Sequence, residues 1–415
     1  MKNRIVKENR LGIILGLALV ALLLVTACAP TPTAPTGEKT VEVGALFPIT
    51  GGAGTQHQAM LKSMEDYVRY FNEQEAIPGV NIKLSWTDTY SQYAQVISGY
   101  ERFVRRGIPI LISTESQTLR GLNERFAEDK IPVLGSATGF QNLSYSPGWR
   151  YFQCPTPAEH TGVVLGYFME NWEEDRPPRV AFVIIEVDFG YDLLSEGAKY
   201  AESLGFEVLP HEVVPYVVID ATPQLIRLEA EAADLVYLQV LASGAGPILR
   251  DAERLGLLEQ MHFAGSELGM PEGTIEFTGA ASEGYLMAMT TPWFDETEVP
   301  GIRLIIDNQM KYHGNVERDP STRNGFIVAV LSCEAVQRAI EDVGYDNLDG
   351  VAIKEVLDNM EDFDVYGLAS ITYTDPLDHR GITKLAIHQV TGGKIVRVTD
   401  FQEVPSLVPE GLVRE

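Results

Sequence analysis

Basic residues are scarce in this chain: 32 Lys and Arg stand against 58 Asp and Glu in 415 residues, a formal net charge of −26. A surface that reads phosphates needs clustered Lys and Arg, so nucleic acid is excluded as a partner. Cysteine is scarcer still. There are three, with no CxxC pair, and the seven histidines are scattered. No metal site and no cofactor are expected from such a set. Catalytic signatures are missing as well: the chain has no G-x-S-x-G elbow, no P-loop, no H-E-x-x-H and no G-x-G-x-x-G after its first strand. In "GSATG", Gly135 to Gly139, the serine stands one place early for an elbow. An enzyme is not expected, and a secreted α/β hydrolase would rest on fold class alone.

What is present begins with a targeting segment. Lys2, Arg4, Lys7 and Arg10 precede an apolar run from Leu11 to Val25, closed by Val25-Thr26-Ala27-Cys28. Fifteen residues are short for a membrane span. The pattern resembles a bacterial lipoprotein signal, with residues 1–27 removed and Cys28 lipidated; a plain secretory signal or an anchor helix are the alternatives. All three put the body outside the cytoplasm. Removal of residues 1–27 leaves 28 basic against 57 acidic residues, a net charge of −29. "APTPTAPTGEKT" then reads as an extended tether over 28–40. Cys154 and Cys333, 179 positions apart, are read as buried free thiols, although a pair outside the cytoplasm stays open.

From residue 41 short β-prone runs alternate with helical periodicity. "VEVGALF", "NIKLSW", "IPILIS" and "IPVLGS" are separated by helices through Met60 to Phe71, Val96 to Val104 and Leu119 to Phe126. After the turn-rich "QNLSYSPGWRYFQCPTP" the rhythm restarts with "RVAFVII", "FEVLP", "DLVYLQV", "MHFAG" and "GYLMAMT". Repeated β-α-β makes parallel sheets covered on both faces. The expected fold class is α/β, with two doubly wound Rossmann-like lobes joined by a hinge and a cleft between them. Residues 41–157 with 291–368 form the first lobe, 158–290 with 369–402 the second, and 403–415 a tail. Ligands of such sheets lie beyond the carboxyl ends of the strands.

The order of "VGALFPITGGAG", "IPVLGSAT", "EVDFGYDLLSEGAKYAESLGFEV", "ADLVYLQV", "ILRDAERLGL", "FAGSELG" and "DHRG" resembles the branched-chain-amino-acid-type solute-binding proteins of ABC importers, the type I periplasmic binding fold. The likeness runs from about residue 41 to about 400. It implies an amino-acid ligand between the lobes. Its carboxylate would be held by Ser116 and by Ser136, Ala137 and Thr138, and its ammonium by Glu267. Phe189 stands where relatives often carry Tyr, and Gln56 and His57 lie in a loop that elsewhere offers an aromatic ring. Leu241 or Ala242 replaces a second-lobe aromatic. These departures put leucine, isoleucine or valine in doubt and keep an α-amino-acid-like solute. Glu115, beside Ser116, is read as pointing to solvent. Tyr151, His160 and Asp188 are read as structural, as is the turn Asp378 to Gly381.

The resemblance implies capture by lobe closure, then docking on the ABC permease subunits, with the body held to a membrane by its lipid and a monomer as the default. A sensing role for a separate signalling receptor is the alternative. A receptor in one chain would need a membrane helix and an output domain after the lobes, and the sequence to Glu415 offers neither.

Overall fold

A computed structural model describes residues 39–135 and 147–407. Cys28, the signal segment, Ser136, Ala137 and Thr138 lie outside the described residues. Five parallel strands form the first sheet, in the order β2-β1-β3-β4-β5: β1 is Lys39–Phe47, β2 Val80–Asp88, β3 Leu111–Ser113, β4 Val133–Gly135 and β5 Arg150–Phe152. Both faces are covered, so the alternation along β1 separates two apolar layers rather than core from water. Val43, Ala45 and Phe47 pack with Met60, Met64 and Tyr67 of the helix Gly54–Glu73, whereas Leu46 packs with Val96, Tyr100 and Phe103 of the helix Tyr93–Arg106.

The second sheet repeats the plan. Strands β6 (Arg179–Ile185), β7 (Glu207–Val208), β8 (Glu212–Val214), β9 (Leu235–Gln239), β10 (His262–Gly265) and β11 (Leu286–Met289) run parallel. After the two-stranded ribbon of β12 (Phe363–Asp364) and β13 (Ser370–Ile371), strands β14 (Lys384–Thr391), β15 (Lys394–Arg397) and β16 (Gln402–Glu403) add an antiparallel edge. Val180, Phe182 and Ile184 of β6 face the helix Pro157–Glu170, and Ala181, Val183 and Ile185 the opposite layer. The helices Pro300–His313 and Pro320–Val343 pack on Gly54–Glu73 of the first lobe.

The chain passes between the lobes after β5, after β11 and again before β14. At the last passage Phe152 N donates to His379 O, Gly381 N to Phe152 O and Ile382 N to Gln153 O, so residues 379–382 still pair with the first lobe. This differs from a second-lobe segment starting at 369. Arg380 bridges Asp378 to Glu159, which is fully buried in the capping box of the helix Pro157–Glu170. His379 stacks on Tyr151 with ring centroids 4.4 Å apart. The "DHRG" turn is thus built into the joint between lobes.

Other boundaries differ in small ways. β1 starts at Lys39, inside the expected tether, because Lys39 and Thr40 already pair with Val80 and Asn81. Glu403 pairs with Lys384 and Leu407 is buried, so the expected tail begins as packed structure. Cys154 and Cys333 are both buried, with no disulfide between them. Among the described residues no helix is long and apolar enough to cross a membrane, and no group of His, Cys, Asp and Glu could hold a metal ion.

Candidate functional site

Both sheets aim the carboxyl ends of their strands at one cavity of about 420 Å³. Past β1 the chain turns through a glycine-rich loop into the helix Gly54–Glu73, whose first two turns bring Gln56, His57 and Met60 to the cavity wall. Gln56 and His57 therefore belong to a helix, not to the loop expected for them. Past β3 come Thr114, Glu115 and Ser116. From the second lobe, β6 delivers Asp188 and Phe189, β9 Gln239 and Leu241, and β10 Ser266, Glu267 and Leu268. Gly190 makes the turn after β6 possible: a Cβ there would lie 2.0 Å from Ile185 O. That close approach holds Phe189 over the cavity.

Of the residues singled out in the sequence, Gln56, Ser116, Phe189 and Glu267 all line this cavity. Three others lie against expectation. Glu115 faces the cavity instead of open solvent, with Thr89 Oγ1 donating to it at 2.8 Å and Gln117 Nε2 at 3.2 Å. Its carboxyl is raised above the usual range, chiefly by burial. His160 and Asp188, read as structural, also line the cavity. Tyr151 does not; it is buried at the joint and hydrogen-bonded to Asp358 at 2.5 Å.

Glu267 is the main correction. Its counter-charge comes from within the chain: Arg323 Nη2 donates to Glu267 Oε2 at 3.1 Å, with both side chains buried. Arg323 also donates to Thr291 O at 2.9 Å and Pro292 O at 3.0 Å, and lies over the Trp293 ring. Burial raises the Glu267 carboxyl and lowers the Arg323 guanidinium, and each partly offsets the other. A carboxylate this dry needs a permanent partner, because one left bare whenever the site is empty is too costly. The sequence hides the pairing, since Arg323 is 56 residues away at the start of a first-lobe helix.

Both cavity histidines are neutral. His57 Nδ1 lies 2.9 Å from Ala53 O and Nε2 2.7 Å from Thr114 Oγ1; His160 Nδ1 lies 3.3 Å from Ala288 O. Burial lowers each to about 4. The mouth is crossed by two polar contacts, Ser116 Oγ to Asp192 Oδ2 at 3.4 Å and the ion pair of Arg120 with Asp188. Apolar surface comes from Met60, Cys154, Phe189, Tyr216, Leu241 and Leu268. Such a wall suits a small solute with both polar and apolar parts.

Comparison with known proteins places this geometry in context. Residues 40–394 match a protein family described as periplasmic binding protein. A Leu/Ile/Val-binding protein homolog 1 from Brucella melitensis is 25% identical over 249 residues, spanning 59% of this chain and 66% of that protein, just under two thirds of its length. A branched chain amino acid ABC transporter protein of Thermus thermophilus, solved with bound valine, superposes with a TM-score of 0.82 at 25% identity, covering 90% of this chain and 98% of that one. A solute binding protein of an ABC transporter from Rhodopseudomonas palustris, in complex with 3,4-dihydroxy benzoic acid, superposes with a TM-score of 0.73 at 16% identity over 90% and 99% of the two chains.

Proposed function

The chain belongs to the periplasmic binding protein family, and from that premise we propose that it captures a small polar solute, an amino acid or a related compound, between its lobes and delivers it to the membrane permease of an ABC importer. The observation that carries this reading is a cavity shared by the strand ends of both sheets, lined by Ser116 and Gln56 from one lobe and Phe189 and Glu267 from the other. Capture is a binding event with no bond made or broken. Closure of the lobes removes the solute from water, so each polar group it buries must find a partner. Micromolar affinity requires only about 8 kcal/mol.

The same reading takes residues 1–27 as a lipoprotein signal and Cys28 as the lipidated residue, which tethers the body on the outer side of a membrane. Mass spectrometry of the mature N-terminal peptide checks this; a free, unmodified N-terminus upstream or downstream of Cys28 overturns it.

Calorimetry and thermal shift of the purified protein against amino acids, their amides and aromatic acids test capture. One solute class is expected to saturate at one site per chain and raise the melting temperature. Ser116→Ala is expected to weaken that solute by about 1–3 kcal/mol. Failure of every small polar solute to bind the folded protein overturns the reading.

A further inference from the structure

We infer that the solute presents hydrogen-bearing nitrogen, as ammonium, guanidinium or amide N–H, to Glu115 in the first lobe, and no free carboxylate at that end. The inference rests on the capture reading above and narrows it to a chemical class.

Among the described residues Glu115 receives hydrogen bonds from neutral groups, Thr89, Gln117 and Ser91, and no basic side chain pairs with it. The cations near the cavity are committed elsewhere, Arg120 to Asp188 and Arg323 to Glu267. Among the described residues several neutral donors are spent in the same way. Gln117 Nε2 donates to Glu115 itself, Gln239 Nε2 to Phe189 O at 3.3 Å, and Ser116 Oγ to Asp192. Ser116 therefore gives its proton to a second-lobe acid rather than to an incoming carboxylate.

Among the described residues the unmatched buried groups of the cavity wall are two acceptors, on His160 and Gln56, and the Ser321 hydroxyl, which can accept as well as donate. With Nδ1–H donating to Ala288 O, the neutral His160 ring keeps a lone pair at Nε2, which is buried and has no partner. Gln56 is 8% exposed and its Oε1 has no partner. Acidic lining residues, Glu115, Asp188 and Glu267, outnumber the single basic one, Arg120. A ligand carboxylate set beside Glu115 would place like charges together in a poorly screened site, whereas N–H groups would satisfy it.

Calorimetry with two matched pairs tests this: valine against valinamide, and arginine against agmatine. The amide or decarboxylated member is expected to bind at least tenfold tighter, and Glu115→Gln is expected to shrink that ratio below threefold. Tighter binding of the free acids overturns the inference and leaves capture standing. A ratio unchanged in a folded Glu115→Gln also overturns it; if that variant does not fold, the ratio in the unaltered protein decides. Binding by none of the four overturns the inference, and capture is then decided by the wider set of solutes.

Discussion

Glu267 and Arg323 withdraw two opposite charges from water, and the cost of that is met only while both are present. Arg323→Met leaves Glu267 buried alone and is expected to lower stability by about 3–5 kcal/mol in urea unfolding. The double variant Glu267→Leu with Arg323→Met is expected to recover most of that loss; equal loss in single and double variants would show the pair is not coupled. Affinity changes at Glu267 must accordingly be read beside a melting curve. Three histidines, His388 buried and His57 and His160 half-buried, act on the acid side of the stability profile. His57 and His160 are lowered to about 4 and His388 to about 3 from an ordinary 6.5, so their contribution is complete above 6.5 and is lost as pH falls toward 4. Asp319 works the other way: raised from 3.8 to about 6, it destabilises as pH rises through that range. At pH 5 a ring lowered to about 4 costs roughly 2 kcal/mol, while Asp319 returns roughly 1 and burial raises Glu115 and Glu267 in the same direction as Asp319. The urea midpoint is expected to change less between pH 7 and pH 5 in His160→Gln than in the unaltered protein.

Helix against helix, the first lobe tolerates no side chain at Gly325. A Cβ there would lie 2.3 Å from Met60 O, where the helices Pro320–Val343 and Gly54–Glu73 meet. Alanine gains about 1 kcal/mol of helix propensity. The clash with a backbone carbonyl, which cannot swing away, outweighs it, and Gly325→Ala is expected to cost about 1–3 kcal/mol net in urea unfolding. A stabilised variant would mean the helices part freely. The long helices and the strands β1, β6 and β9 were legible because their apolar period is unambiguous over many residues. β5 was not: three residues, Arg150–Phe152, sit in a turn-dense stretch, and only pairing with β4 makes them a strand. The helix Glu272–Thr278 is likewise too short for a period to show. Cavity residues at strand ends could be found by position, but the partners of Glu267 and Glu115 could not, since tertiary packing alone brings Arg323 and Thr89 to them.

Taken as a whole the molecule has its lobes in contact across the cavity mouth, and those contacts differ in worth. Arg120 and Asp188 are each about two-fifths exposed, so their ion pair contributes only about 0–1 kcal/mol. Gly52 and Tyr216 set a steric limit instead, because a Cβ on Gly52 would lie 2.3 Å from the Tyr216 ring. The apparent dissociation constant of a solute enclosed by closure is its intrinsic value divided by the fraction of molecules able to close. Asp188→Asn removes a weak contact and is expected to change affinity less than about fivefold. Gly52→Val puts bulk between the lobes without entering either core, so it is expected to weaken the solute tenfold or more while the urea midpoint without solute stays put. Small-angle scattering with saturating solute supplies the independent check: the variant should stay more extended than the unaltered protein. Equal compaction in both, with equal affinity, would mean that Tyr216 swings aside and that closure is governed by the pairs deeper in the cleft, Glu267 with Arg323 foremost.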